Sequence, residues 1–262
     1  MKGAVMVRSF RVLAATDRGL VREGNEDAGL ISPQLIAVAD GMGGHAAGEV
    51  ASKIAITSLA QLGKILDDGN IDEESREDLL LNICYSIDQE ILDRTAEDAS
   101  LSGMGTTLTA LHLTDRTIEL LHVGDSRAYR WNGKRLSQIS VDHTVMQELI
   151  DQGRLTPEEV HSHPQRSLLT QALMGDSGID PVLVSLEAKS GEKFLLCSDG
   201  LSSVLSDHEI EQILKKSDDS EILEKLIAAT KAKGAPDNIT ILWAEIVDTP
   251  STHSELLGAA NE

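Results

Sequence analysis

Four aspartates stand at points where an apolar strand meets a turn that contains glycine, serine or asparagine. They are Asp40 in LIAVAD-GMGG, Asp199 in KFLLCSD-GL, Asp237 in AP-DN-ITILW and Asp125 in VGDSR. Each motif alone is common, since Asp-Gly and Asp-Asn pairs suit ordinary turns and helix caps. Together, the four predict carboxylates that converge at one edge of a sheet, where their mutual repulsion is costly unless cations neutralise it.

The types of donor atom indicate which cation this would be. Carboxylate oxygens without thiolates or a histidine set favour Mg²⁺ or Mn²⁺ over zinc. Gly41 lets the backbone come close enough for its carbonyl to join the coordination shell. Arg22 supplies a planar guanidinium that suits an anion, and Glu26 and Asp27 follow it. The spacing of Arg22 is equally compatible with an ordinary surface ion pair.

Composition limits the class of protein. The chain has 262 residues, of which 41% are hydrophobic, and a net charge of −20. This length predicts one catalytic domain over residues 1–248, and the small polar residues 249–262 predict a flexible tail. The acidity argues against sequence-independent nucleic-acid binding. Two cysteines without a C-x-x-C motif, and no apolar run near 18 residues, predict a soluble cytoplasmic protein without a membrane anchor.

The strand and helix patterns predict an α+β fold. LIAVA is an uninterrupted apolar strand, and two amphipathic helices follow it. The next segments, TTLTALHL, TIELLHV, RAYRW and RLSQIS, predict an antiparallel meander with a two-residue Asn-Gly turn before the last strand. Residues 142–175 predict an excursion over the surface. Further strands at VLVSLEA, KFLLCS and NITILWAEIV, with paired helices between the last two, complete the pattern.

Seven segments, in order, resemble the metal-dependent serine/threonine protein phosphatases of type 2C (the PPM family) in their compact bacterial form. They are R-x-x-N-E-D (22–27), VADGMGGHAAGE (38–49), GMGTT (103–107), VGDSR (123–127), HP-x-R-x-L-L-T-x-A-L (163–173), CSDGL (197–201) and DNIT (237–240). They cover nearly the whole chain. The resemblance implies a four-layer α-β-β-α sandwich of two antiparallel sheets flanked by helix pairs, with metal ions at one end.

The resemblance also implies roles for individual residues. Asp40 would bridge two Mn²⁺ or Mg²⁺ ions, and Gly41 would offer its carbonyl to one of them. Asp199 and Asp237 would complete the other ion, and Glu26 would contact an ion through water.

Three further positions are implied by the same likeness. Arg22 would bind the phosphoryl oxygens and, with Asp40, form the catalytic pair. Asp125 would help to bind a third, weaker ion. Residues 142–175, which include His163, would form a mobile flap that influences access of the substrate.

The mechanism implied is direct attack on phosphorus by a water that bridges two ions, without a phosphoenzyme. Animal members carry a histidine, proposed as the general acid, where this chain has Met42. The proton donor therefore stays open. His45 and His163 are close in the sequence pattern, although a packing or solvating role suits either one better.

The expected substrates are proteins phosphorylated on serine or threonine. The implied partners are bacterial Ser/Thr kinases and their substrates, or regulators of alternative sigma factors, in cytoplasmic signalling by a monomer. A catalytically silent, phosphoprotein-binding member of the same fold is a rival hypothesis, which the retained Asp40, Asp199 and Asp237 disfavour. A second rival is a two-metal phosphodiesterase or nuclease, which the acidic composition disfavours.

Overall fold

Two antiparallel sheets lie at the centre of the protein. The computed structural model describes residues 8–43, 47–66, 71–156, 159, 168–176 and 178–261. The described strands are β1 (Ser9–Asp17), β2 (Asp27–Ile31), β3 (Leu35–Met42), β4 (Gly105–Thr106), β5 (Leu108–Leu113), β6 (Thr117–Val123), β7 (Arg127–Trp131), β8 (Leu136–Gln138), β9 (Val182–Glu187), β10 (Lys193–Cys197), β11 (Ile239–Val247) and β12 (Glu255–Gly258). One sheet has the order β1-β11-β10-β7-β8, and the other has the order β12-β2-β3-β5-β6-β9 with β4 paired to β3.

Helices cover the outer faces of both sheets. The described α-helices are α1 (Ala47–Leu66), α2 (Glu73–Glu97), α3 (Val145–Asp151), α4 (Asp199–Ser202), α5 (Asp207–Lys215) and α6 (Asp219–Ala232). Local signals fix their ends: the Asp72 carboxylate accepts the Ser75 N–H at 2.9 Å and caps α2, and Ser206 and Glu209 form a capping box on α5. None of the described helices is both long and apolar enough to cross a bilayer.

Three apolar clusters account for four layers. The first packs α1 and α2 on the seven-stranded sheet, the second fills the space between the sheets, and the third packs α5 and α6 on the five-stranded sheet. Along β3, Leu35, Ala37 and Ala39 belong to the first cluster, whereas Ile36 and Val38 belong to the second. This alternation is why LIAVA is apolar throughout. The predicted α-β-β-α sandwich is confirmed.

The layer between the sheets becomes polar at one end. Because strand side chains alternate, Asp40 continues the row of Ile36 and Val38 that faces the opposite sheet. By the same count, Ser198 follows Leu196 after β10, and Thr240 precedes Leu242 on β11. Polar side chains of both sheets therefore meet at this end.

Two predictions about strands are wrong. The segments β5 to β8 do not form one meander, because β6 stays in the seven-stranded sheet while β7 joins β10 in the other sheet. The Asn132-Gly133 pair lies in a four-residue connection, since Trp131 pairs with Leu136.

The tail was also predicted wrongly. Residues 249–262 were expected to be flexible, but they include β12, which pairs antiparallel with β2, and the buried Ala259 and Ala260. Gly258 has a φ of +59°, and a Cβ there would lie 2.1 Å from the Asp27 carbonyl oxygen. Only glycine fits this close approach, because a side chain at position 258 would clash with the backbone of β2.

A buried ionic cluster fixes α2 to the seven-stranded sheet. Glu119 on β6 is 1% exposed, and its carboxylate accepts from Arg76 Nε at 2.9 Å. His112 Nδ1 lies 2.8 Å from the other oxygen. Burial tends to raise the pKa of Glu119, but hydrogen bonds to His112 and Arg76 lower it below its usual value. The carboxylate therefore depends on its two partners.

We expect Arg76→Ala to lower the free energy of unfolding by about 2 kcal/mol, since it removes a charge-assisted hydrogen bond from a buried carboxylate that keeps His112. Urea unfolding followed by circular dichroism measures this change. Arg94→Ala is the matched control, because Arg94 lies on the same helix in an exposed pair with Glu97, and its effect should be within about 0.5 kcal/mol. Equal effects of the two substitutions would contradict the stabilising role of the cluster.

Candidate metal and phosphate site

The four predicted aspartates come from both sheets. Asp40 lies near the end of β3, and Asp125 lies in the connection by which the chain passes from β6 to β7. Asp199 is the first residue of α4, directly after β10, and Asp237 precedes β11. The prediction of convergence at one edge of a single sheet is therefore replaced by convergence at one end of the sandwich.

A fifth carboxylate, Asp27, lies directly opposite Asp40 in the pairing of β2 with β3. Its side chain is 1% exposed, and Oδ2 accepts from the Ser198 hydroxyl at 2.7 Å. Oδ1 is buried without a hydrogen-bond partner among the described residues. Like charges directly opposite each other destabilise a sheet. The R-x-x-N-E-D segment contains Asp27, but its burial depends on strand register, which the motif does not reveal.

The carboxylates perturb one another strongly. Burial is the largest cause that raises the pKa of Asp40 well above its usual range, and the charges of Asp27, Asp199, Asp125 and Asp237 add to it. Burial likewise raises the pKa of Asp125 to about 8 and that of Asp27 to about 7. For Asp199, burial and then the charge of Asp237 raise the pKa to about 6, although a hydrogen bond with Asp40 offsets part of the shift. The site thus concentrates negative charge that Arg22 and Arg127 offset only in part.

Gly41 lies where no side chain can be accommodated. A Cβ at this position would lie 2.2 Å from the Gly48 carbonyl oxygen and 2.4 Å from the Glu26 carbonyl oxygen. The Gly41 N–H donates to Glu26 O at 3.2 Å. The sequence predicted glycine here for close approach of the backbone; the structure adds that the start of α1 packs against it.

Arg22 lies beside the acids and remains half exposed. Its Nη2 is 2.7 Å from Asp237 Oδ2, and its Nη1 is 3.8 Å from Glu26 Oε2. The bond to Asp237 is the largest cause that raises the pKa of the Arg22 guanidinium. Burial raises the pKa of Glu26, and the charge of Arg22 lowers it in part. The guanidinium therefore contacts the acidic cluster and keeps part of its surface open to solvent, where it could bind an anion.

Asn238 organises the backbone around Arg22. Its Oδ1 accepts from the Glu26 N–H at 2.8 Å, while its Nδ2 donates to the carbonyls of Arg18 and Gly24 at 3.0 and 2.9 Å. One amide side chain thus fixes the loop that carries Arg22 to the start of β11. The sequence predicts no role for this asparagine, because the DN pair is common and its partners are more than 200 residues away.

The donor set fits hard divalent ions. Within the described ranges, no group of three or more His, Cys, Asp and Glu side chains forms a metal site by itself. An ion here would need the Gly41 carbonyl and water in addition to carboxylates. Mg²⁺ is commonly coordinated in this way, by a few carboxylates and several waters. Asp27 Oδ1 has no hydrogen-bond partner among the described residues, and the pKa values of the acids are raised. Both features are expected of a site that binds a cation.

The predicted flap is only partly described. Its ends are fixed by isolated bridges of Thr144 with Leu169 and of Thr106 with Leu173. The Asp88 carboxylate on α2 accepts from the Gly175 N–H at 2.7 Å. His163 and His45 lie outside the described residues, so their proposed roles and the mobility of the flap remain predictions.

Comparison with known proteins places this geometry in a family. Residues 25–240 match the family profile described as Protein phosphatase 2C. Serine/threonine protein phosphatase PstP of Mycobacterium tuberculosis is 44% identical over 242 residues, which are 91% of this chain and 45% of PstP. The chain thus spans about half the length of that relative. Serine/threonine phosphatase stp of Listeria monocytogenes is 34% identical over 236 residues, 88% of this chain and 93% of stp.

Solved structures agree with the sequence matches. The catalytic domain of PstP in complex with two manganese ions superimposes with a TM-score of 0.81 at 40% identity, covering 92% of this chain and 99% of that one. Stp1 from Staphylococcus aureus gives a TM-score of 0.82 at 33% identity, covering 90% and 94%. Because the family profile spans most of the sequence and the sandwich matches at this level, the chain belongs to the protein phosphatase 2C family.

Proposed function

We propose that the protein hydrolyses phosphoserine and phosphothreonine in proteins with the help of divalent metal ions. The observation that carries this proposal is the set of buried carboxylates around Asp40, whose burial and mutual repulsion raise the pKa of Asp40 well above its usual range although Arg22 pairs with Asp237 beside them. The names of PstP and stp as serine/threonine phosphatases support the choice of ester. The chain also keeps the acids that a silent, phosphoprotein-binding member of the fold could dispense with.

The proposed ligands are the residues predicted from the sequence. Asp40 and the Gly41 carbonyl, with Asp199 and Asp237, would hold two ions. Glu26 would contact one of them through water, and Asp125 would contribute to a third. The two manganese ions in the PstP catalytic domain support Mn²⁺ and the number two. When bound, such ions lower the pKa of a coordinated water and offset charge on the phosphoryl oxygens.

The chain's own residues position the substrate and the acids. Arg22 offers the exposed part of its guanidinium to the phosphoryl oxygens, while Asp237 and Glu26 orient it from behind. The Ser198 hydroxyl donates to Asp27 and accepts from the Thr240 N–H at 2.9 Å, which fixes Asp27 opposite Asp40. Met42, which follows Gly41, carries no acidic proton, so it cannot protonate the leaving oxygen.

The biological setting is part of the same proposal. We expect a single catalytic domain that acts as a monomer in the cytoplasm and opposes bacterial Ser/Thr kinases, and because β12 pairs with β2 this domain extends beyond the predicted limit at residue 248. Cys84 and Cys197 are buried and free, as in proteins of a reducing compartment. Phosphoproteomics after depletion, with retained phosphate on the cell's Ser/Thr kinases, tests this setting.

Asp40→Asn should lower kcat by about 100-fold or more at limiting Mn²⁺, because it removes a charge from the centre of the acidic cluster. A Mn²⁺-dependent assay with p-nitrophenyl phosphate and a phosphothreonine peptide measures the loss. Asp219→Asn is the control and should leave kcat unchanged. That carboxylate lies at the start of α6 and pairs with Lys193, at the opposite end of β10 from Asp199. Activity of Asp40→Asn equal to that of the wild type would refute the assignment.

Arg22→Ala should raise KM for p-nitrophenyl phosphate by about tenfold, the equivalent of one charge-assisted hydrogen bond, and should change kcat less. Arg22→Lys should restore only part of the loss, because an ammonium cannot bind two oxygens in one plane. Arg18→Ala, in the same loop, removes a guanidinium that contacts the Glu23 carbonyl and should leave KM unchanged. A KM for Arg22→Ala that matches the Arg18→Ala value would contradict the clamp.

Mn²⁺ should stabilise the fold. At a free concentration of about 100 times the dissociation constant, binding contributes about 2.7 kcal/mol, which corresponds to about 5–10 °C in Tm for a domain of this size. Differential scanning fluorimetry of EDTA-treated protein with and without MnCl₂ measures the shift. The Asp40→Asn protein should shift less, and a wild-type Tm that does not respond to Mn²⁺ would argue against the proposed site.

A further inference from the structure

Thr107 is a buried hydroxyl residue that contacts two of the proposed metal-binding segments at once. It is 1% exposed and lies between β4 and β5, on the side that faces the opposite sheet. Its neighbours are Asp40 on β3 and the connection around Asp125. The proposed function gives this residue no role.

Both backbone groups of Asp40, its N–H and its carbonyl, form hydrogen bonds with this threonine. The Asp40 N–H donates to Thr107 Oγ1 at 3.0 Å, and the Thr107 N–H donates to the Asp40 carbonyl at 3.0 Å. The neighbouring Thr106 hydroxyl donates to the same carbonyl at 3.0 Å. These hydrogen bonds hold the backbone of Asp40 from the side of β4 and β5, opposite to its pairing with β2.

The same hydroxyl reaches the segment of Asp125. Thr107 Oγ1 lies 2.7 Å from Ser126 Oγ, and both atoms are buried. Because Thr107 Oγ1 already accepts the Asp40 N–H, its own proton is free to be donated to Ser126. The methyl group packs on Gly124, where a Cβ would lie 2.6 Å from Thr107 Cγ2 and where φ is +107°. Thr107 thus fixes the residues on both sides of Asp125.

A second hydroxyl extends this arrangement. Thr109 Oγ1 donates to the Ser126 carbonyl at 2.8 Å and lies 2.9 Å from His122 Nδ1. Ser126 is therefore bound at its side chain by Thr107 and at its backbone by Thr109. Nothing in this set bears a charge, so the segment is positioned without adding to or neutralising the acidic cluster.

We propose that Thr107 is a positioning residue that sets the spacing between Asp40 and Asp125, and thereby the affinity of the site for divalent ions. The inference rests on the proposed function, since it concerns the same acids. Outer partners that orient metal ligands typically contribute about 10- to 100-fold to metal affinity. Thr107 acts as such an outer partner through three groups: its backbone N–H, its hydroxyl and its methyl group.

The test is a Mn²⁺ titration of the whole chain followed by electron paramagnetic resonance, which measures free Mn²⁺ and needs no turnover. Thr107→Val keeps the shape of the side chain and removes the hydroxyl, and we expect the Mn²⁺ dissociation constant to rise by about 10- to 100-fold. Thr107→Ser keeps the hydroxyl and should stay within about threefold of the wild type.

Thr230→Val is the matched control for loss of a buried threonine hydroxyl. Thr230 is fully buried in α6, in the helix layer of the other sheet, and its hydroxyl donates to the Leu226 carbonyl at 2.8 Å. Thermal unfolding in EDTA shows whether each variant is folded. If Thr107→Val does not fold, Ser126→Ala replaces it, because that change leaves the Asp40 N–H bound and removes only the link to the Asp125 segment.

Weaker Mn²⁺ binding by folded Thr107→Val, or by Ser126→Ala, with Thr230→Val unchanged, would support the inference. Mn²⁺ affinity in Thr107→Val equal to that of Thr230→Val, in a wild type that binds Mn²⁺ and hydrolyses p-nitrophenyl phosphate, would overturn the inference alone. A wild type that neither binds Mn²⁺ nor hydrolyses the ester would instead overturn the proposed function, and this inference with it.

Discussion

Repulsion among carboxylates is the constraint on which the structure depends. Asp27 and Asp40 lie directly opposite each other on adjacent strands, and Asp125, Asp199 and Asp237 approach from other elements. The cost of this arrangement is visible in the raised pKa of Asp40 and in an oxygen of Asp27 that has no partner among the described residues. A fold that only needed stability would not retain it. The apolar layer between the sheets offsets this unfavourable energy and forms a rigid base for the polar end.

That base follows from strand periodicity. Strands β1, β3, β10 and β11 carry apolar side chains along the row that faces the other sheet, and at one end this row becomes polar, at Thr16, Asp40, Ser198 and Thr240. The acids can therefore be delivered from strands that are far apart in sequence without any long loop. Hydroxyl groups of Thr107, Ser126 and Ser198 occupy the same end and hold the acids without changing its charge. Asp27 and Asp40 thus lie on strands and Asp199 on a helix, whereas Asp125 and Asp237 lie in the connections that lead into β7 and β11.

Much of this could be predicted because it is local. The runs around Asp40 and Asp199 combine an apolar strand with an adjoining turn, and both signals lie within about ten residues. What could not be predicted depends on pairing between distant segments. The passage of the chain to the other sheet after Gly124, the burial of Asp27 and the strand β12 are decided by register and by the free edge of β2. The strand β12 has only four residues, ELLG, which is too short a pattern to indicate a strand by itself.

The position of β12 has a practical consequence for anyone who trims the chain. The segment that matches the family profile begins at residue 25 and stops at residue 240, which is the second position of β11. A truncation to those limits would delete β1, most of β11 and all of β12, leaving both sheets with new open edges. Of these, the edge at β2 would expose the backbone of Asp27 to water, because Gly258 normally packs against its carbonyl. Boundaries for expression should therefore follow the sheets and not the profile.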